Sequence, residues 1–167
     1  MIKSAKFWIE NLQLEKHPEG GWFKEVYRSG ELISKHALPV GFSGDRSIST
    51  SIYYLLEGED FSAFHRIKSD EIWHFYTGNS SVEIISIEEG KTKRQFLGDN
   101  PGQNHYFQIV VPKNTWFAAR LTNKNGFALA GCTVSPGFHF NDFGMAGNEL
   151  IQEFPELEGE IVGLIRL

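Results

Sequence analysis

Short strand-like runs recur along most of this chain, and the turn clusters between them leave little room for another architecture. Runs rich in β-branched and aromatic residues occupy 22–28, 47–56, 61–67, 71–77, 80–88, 92–97, 105–111, 115–121 and 127–134. Between them lie Glu57-Gly58-Glu59-Asp60, Gly98-Asp99-Asn100-Pro101-Gly102 and Asn123-Lys124-Asn125-Gly126, residue types that enter tight turns at little cost. Many short strands with regular turns predict an all-β sandwich or barrel. Helix is expected only at the two ends. Residues 4–14 space Phe7, Trp8 and Leu12 near a helical period, with Ser4 as N-cap. His17-Pro18-Glu19-Gly20-Gly21 breaks that helix. Further helices are expected near 148–154 and 155–164, and 35–44 reads as a loop bordering a site. No repeat or linker divides the chain, so residues 1–167 are expected to form one domain.

Composition narrows the partners. The formal net charge is −5, with no basic block, so no nucleic-acid partner is expected, because phosphate contacts need clustered Lys and Arg. No apolar run approaches the ~20 residues that span a bilayer, and the first ten residues lack the apolar core of a secretory signal. No membrane partner is expected. The single Cys132 rules out an internal disulfide and fits a reducing, cytoplasmic setting.

The hairpin at 62–78 carries the chemistry. His65 lies on its first strand, a polar turn follows at Lys68-Ser69-Asp70, and Glu71 begins the second strand. Alternation puts Glu71, Trp73 and Phe75 on one face and Ile72, His74 and Tyr76 on the other. A His and a Glu facing one aromatic-lined interior suit acid–base work, because burial raises a carboxyl's pKa toward that of imidazole. The plainer readings are a hydrogen-bonded structural His65 and a Glu71–Arg66 salt bridge across the turn.

The same hairpin resembles the first motif of the cupin superfamily, with glycine, two histidines, glutamate and glycine at set spacings. Three further segments extend the resemblance to the branch known as cupin family five, a domain of unknown function. They are His17-Pro18-Glu19-Gly20-Gly21-Trp22-Phe23-Lys24-Glu25-Val26-Tyr27-Arg28-Ser29, Val111-Pro112-Lys113-Asn114-Thr115-Trp116-Phe117-Ala118-Ala119, and Gly131-Cys132-Thr133-Val134-Ser135-Pro136-Gly137-Phe138. The resemblance implies a double-stranded β-helix, the cupin jelly roll, with short N- and C-terminal helices and a homodimeric assembly. Metal-dependent cupins hold their ion with three His and one Glu. Here the two first-motif His positions fall on Phe64 and Arg66 in one register, or on His65 and Ile67 in the other, and the second-motif position falls on Phe117. That leaves His65 and Glu71, too few for a catalytic zinc or a two-His-one-carboxylate iron site. His74 completes a set only if a bulge turns it inward.

The expectation is therefore a cupin without metal or other cofactor. It binds a small polar or sugar-like metabolite and resembles the metal-free sugar-nucleotide epimerases, with His65 and Glu71 as the catalytic pair. The alternatives are a non-catalytic binding or sensor module and a metal-dependent oxygenase. Candidate ligand contacts are Trp73, Trp116 and Phe117 for stacking, Arg28 and Arg66 for an anion, Tyr53 for its phenol, and Glu25. In a dimer, strand 22–28 is expected to cross to the partner and carry Glu25 or Arg28 toward the partner's pocket. Cys132 reads as an inert buried thiol, His17 as a turn residue, His36 and His105 as surface residues, and His139 receives no role.

Overall fold

The computed structural model describes residues 3–166. It is a double-stranded β-helix: two six-stranded sheets packed face to face, flanked by short helices. Helix α1 (Ala5–Leu12) opens the chain, with the Ser4 hydroxyl accepting from the Phe7 N–H. The strands follow as β1 (Glu15–Lys16), β2 (Trp22–Arg28), β3 (Leu32–Ile33), β4 (Arg46–Ser47), β5 (Thr50–Glu57), β6 (Phe61–Ile67) and β7 (Asp70–Gly78). Then come β8 (Val82–Glu88), β9 (Lys91–Leu97), β10 (His105–Tyr106), β11 (Gln108–Val111), β12 (Trp116–Leu121), β13 (Phe127–Ser135) and β14 (Phe143–Met145). Helices α2 (Asn148–Glu153) and α3 (Glu158–Ile161), joined by single 3-10 turns, end the described chain. One sheet runs β1-β2-β5-β13-β7-β11, the other β10-β9-β8-β12-β6-β14, and β3-β4 form a separate ribbon. The short β14 had no counterpart in the strand pattern.

Strand alternation sends side chains to three apolar layers. Between the sheets lie Tyr54, Leu56, Trp73, Ile84, Phe117 and their neighbours. Outside the second sheet, α2 and α3 cover Phe64, Ile85 and Trp116. Outside the first sheet, α1 covers Leu55, Leu129 and Phe127. Cover on both faces leaves β8 buried at six of its seven positions, the polar Glu83 and Ser86 included. The same alternation settles the register of β6. His65 and Ile67 line the interior, while Phe64 meets the C-terminal helices and Arg66 points out over the Trp116 ring. A register shift against β12 leaves an extra residue between Ser62 and His65, and both side chains reach the Glu19 carboxyl.

Two further register shifts interrupt the first sheet. β2 shifts register against β5 between Glu25 and Tyr27, so Val26 is an extra residue. Glu25 and Arg28, an odd number of residues apart, therefore land on one face. The other is in β7, where Tyr76 is an extra residue opposite the Leu129–Ala130 step of β13. Phe75, just before it, keeps the face of Trp73 by plain alternation.

At the turn 17–21 the backbone comes close against β6. Gly20 has φ +112, and a Cβ there would lie 2.0 Å from the Phe61 carbonyl oxygen. The turn is clamped from several sides. Ala63 N–H donates to the Glu19 carbonyl at 2.8 Å, and the Tyr54 hydroxyl donates to the Gly20 carbonyl at 2.6 Å. Arg166 reaches the Glu19 carbonyl, Asp60 and the Phe61 carbonyl. Gly20→Ala is expected to cost about 2–4 kcal/mol in urea denaturation, because backbone must move. Gly163→Ala, where an added Cβ meets nothing within 4 Å, is expected to stay within about 0.5 kcal/mol of the parent.

Candidate functional site

A cavity of about 220 Å3 opens at one end of the barrel, between β2, β5, β6, β7, β13 and the segment 138–143. Its inner end holds Glu19, His65, Glu71 and Cys132, all buried. Phe23, Ile52, Ile67, Val134 and Phe143 form the walls, and Glu25, Arg28, His139 and Phe140 surround the exposed mouth.

His65 is held between two oxygens. Its Nδ1–H donates to the Ala63 carbonyl at 2.7 Å, and a carbonyl can only accept, so that nitrogen carries a proton. The opposite nitrogen, Nε2, lies 3.2 Å from Glu19 Oε2. Two lone pairs would repel there, so one further proton is shared between the imidazole and the carboxyl. The other Glu19 oxygen accepts from the Ser62 hydroxyl at 2.9 Å. His17 stands on the far side of Glu19, its Nδ1 accepting from the Glu19 backbone N–H at 3.3 Å. Burial lowers the His17 pKa, against the opposing pull of Glu19, and its ring packs edge-on against Phe23 at 4.6 Å.

Glu71 sits in a contrasting environment. Burial, and then the nearby charge of Glu19, push its pKa up to about 8, while a hydrogen bond with Cys132 pulls the other way. At neutral pH Glu71 is a carboxylic acid and can donate a proton. Cys132 is buried beside it, and burial followed by the charges of Glu71 and Glu19 raises the thiol well above its ordinary range. It is no thiolate nucleophile.

At the mouth, the bulge in β2 pairs Arg28 with Glu25 through two hydrogen bonds of 2.9 and 2.7 Å. The same guanidinium donates twice to the Phe138 carbonyl, at 3.2 Å each. Phe138 N–H in turn donates to the Thr50 hydroxyl. One residue beyond Asn141, Asp142 makes a buried bidentate pair with Arg46, so the segment that carries Phe138, His139 and Phe140 is pinned at both ends.

Of the residues expected at the site, His65, Glu71, Glu25 and Arg28 line the cavity. Glu25 and Arg28 border the cavity of their own chain. Five others do not line it. Tyr53 is turned outward under α1 and meets Tyr76 edge-on. Arg66 is exposed and stacks on Trp116 rather than bridging to Glu71, which is buried in the cavity. Trp116 lies under the C-terminal helices, because its place on β12 faces outward. Trp73 and Phe117 face the interior but are core. Phe117 packs its ring 4.2 Å from His65, closing the barrel beneath it. His74 faces away from the cavity, its Nε2 3.2 Å from the Thr133 hydroxyl. His105 is half-buried, not a surface residue. His17, Glu19 and His139 line the cavity without having been assigned to it. The signal for the first two was a turn whose paired glycines had no reason to be there except close approach of backbone.

The donor set does not fit the metal site that the cupin resemblance implies. Phe117 is paired opposite His65 on β12, where the third imidazole would stand. Among the described residues no group of three or more His, Cys, Asp or Glu is placed to hold an ion.

Comparison with known proteins agrees with the architecture. The family model described as Cupin superfamily (DUF985) matches residues 6–146. An uncharacterised protein of Saccharomyces cerevisiae, YML079W, is 32% identical over 144 residues, covering 80% of this chain and 71% of that one. The crystal structure of protein SO0799 from Shewanella oneidensis superposes with TM-score 0.86 at 34% identity, covering 99% of both chains. A hypothetical protein from Leishmania major gives TM-score 0.88 at 27% identity, covering 99% of this chain and 100% of that one.

Glu71 links this site to stability. Unfolded, its carboxyl titrates near the ordinary value of 4.5; folded, near about 8. Between those values the folded state holds a proton that the unfolded state has released, so stability falls as pH rises through that window. Glu71→Gln removes the penalty. Its stability gain over the parent, read by urea denaturation, is expected to be larger at pH 9 than at pH 5 by about 2–4 kcal/mol.

Proposed function

The chain belongs to the cupin superfamily, in its DUF985 branch, and from that premise we propose that its cavity binds a small metabolite and moves protons on it without a metal. The observation that carries this reading is the contact of His65 with Glu19, 3.2 Å between Nε2 and Oε2, in the same closed space as the protonated Glu71. Two titratable sets held in different protonation states are the equipment of acid–base catalysis. On a bound carbonyl compound, the Glu19–His65 pair takes the proton from the carbon next to the carbonyl. The electron pair moves onto oxygen, and the Glu71 carboxyl supplies a proton there, giving an enol. Return of a proton to the neighbouring carbon, or to the other face, gives an isomer or epimer. His17 is a positioning residue that holds the Glu19 backbone.

Hydrogen–deuterium exchange at the α-carbon of small ketones and aldehydes in D2O, followed by NMR, tests this. Saturable exchange is expected, undiminished by a chelator. His65→Ala is expected to lower it by about 10²–10⁴-fold with an unchanged circular dichroism spectrum. The rate is expected to fall as pH rises through about 8, where Glu71, facing Glu19, His65, His17 and Cys132, loses the proton it must donate. Binding without exchange points to the sensor module instead. A stoichiometric metal whose removal abolishes activity points to the oxygenase.

The reading includes a homodimer and cytoplasmic residence, the latter resting on the single, buried Cys132. Among the described residues, β1 pairs only with Trp22 and Phe23, so the outer edge of β2 beyond Phe23 has no strand beside it. Val26 and Tyr27 stand exposed there. Open edges invite pairing, and a two-fold axis pairs a strand with its own copy. Light scattering is expected to give twice the 19.0 kDa chain mass, and Val26→Lys is expected to lower it toward one chain. A monomer at micromolar concentration overturns this assembly.

A further inference from the structure

We propose that the ligand of this cavity is a compact, uncharged carbonyl compound with an apolar body about one ring in size. This excludes the sugars and nucleotide sugars that the epimerase resemblance suggested. The inference rests on the acid–base reading of the site and names its substrate class.

Size is the first argument. The space of about 220 Å3 falls below the roughly 300–1,000 Å3 of pockets that enclose drug-sized ligands, and a nucleotide sugar is larger still. The distribution of polarity is the second. A sugar is recognised through hydroxyls around its whole rim, and each buried hydroxyl needs a partner. Here the polar groups stand at the inner end and at the mouth, where Arg28 and Glu25 pair with each other, while Phe23, Ile52, Ile67, Val134 and Phe143 form the walls between. Those walls pair with nothing but carbon.

Charge is the third argument. Arg28 is the only Arg or Lys side chain at the cavity, and it is occupied. Nε and Nη2 donate to Glu25, and Nη1 and Nη2 donate to the Phe138 carbonyl. A phosphate would have to break that pair. At the inner end an anion meets the Glu19 carboxyl, and a cation finds both of its oxygens already engaged by His65 and the Ser62 hydroxyl. A neutral carbonyl fits: its oxygen accepts from Glu71, and its apolar body replaces water along the walls.

Benzamide is the probe, because it has a ring, a carbonyl and no enolisable hydrogen. Its binding to the full-length protein, followed by NMR titration, reports ligand class independently of turnover. Saturable binding is expected, at least tenfold tighter than that of methyl glucoside, uridine diphosphate glucose, benzoate or benzylammonium. The methyl signals of Ile52, Ile67 and Val134 are expected to shift with it. Val134→Thr, nearly isosteric, is expected to weaken benzamide at least threefold. Tighter binding of the glucoside, the nucleotide sugar or either charged ring compound overturns the inference, as does no saturation by benzamide. Exchange activity without benzamide binding overturns it and leaves the acid–base reading standing. Benzamide binding without exchange on any ketone does the reverse.

Discussion

The docking of the 17–21 turn onto β6 is the constraint on which the rest of the site depends. A carboxyl such as Glu19 cannot be buried alone, because removing a charge from water costs far more than a single contact returns. It is held by the Ser62 hydroxyl, by His65 and by a backbone fixed through Ala63 and Arg166. The two glycines that follow permit that approach, since a side chain at Gly20 would collide with the Phe61 carbonyl. Arg166 lies near the far end of the chain, so closure of the site draws on nearly the whole fold.

Once Glu19 is in place, the neighbouring groups take different roles through environment alone. Glu19 faces an imidazole and a hydroxyl, and shares a proton with His65. Glu71 faces apolar walls, a thiol and the charge of Glu19, and so keeps its own proton. Two carboxyls in one space are thereby separated into a base and an acid, which is what isomerisation next to a carbonyl requires. Phe117 seals the space beneath His65, where an imidazole would have made a metal site. The bulge at Val26 does comparable service at the mouth, turning Arg28 inward so that it both neutralises Glu25 and pins Phe138.

Much of this was legible along the chain. Strand alternation located most of the strands, because burial on alternate positions writes itself directly into sequence. Ser4 capped α1 as its residue type demands, and His65 and Glu71 lay near enough in the chain for the hairpin to bring them to one interior. Other features left no local trace. Alternation says that Trp116 and Phe117 face opposite ways, but only the C-terminal helices show which way is inward. A bulge adds one residue without a compositional mark, so the placing of Glu25 and Arg28 on one face was not legible in the sequence. Tyr53 looked available until α1 covered it.

The sequence by itself determined an all-β double-stranded helix, the cupin family and a hairpin that brings His65 and Glu71 to one cavity, since these follow from short-range periodicity and from motifs. Tertiary structure alone decided that Glu19 meets His65, that His17 packs beside Glu19, and that Arg66, Trp73 and Trp116 lie outside the cavity lining. The physical reason is that a site of this kind is made by contacts distant in sequence. Glu19 reaches His65 across 46 residues, by a close approach of two backbones, and such an approach is a property of the folded packing rather than of any local pattern.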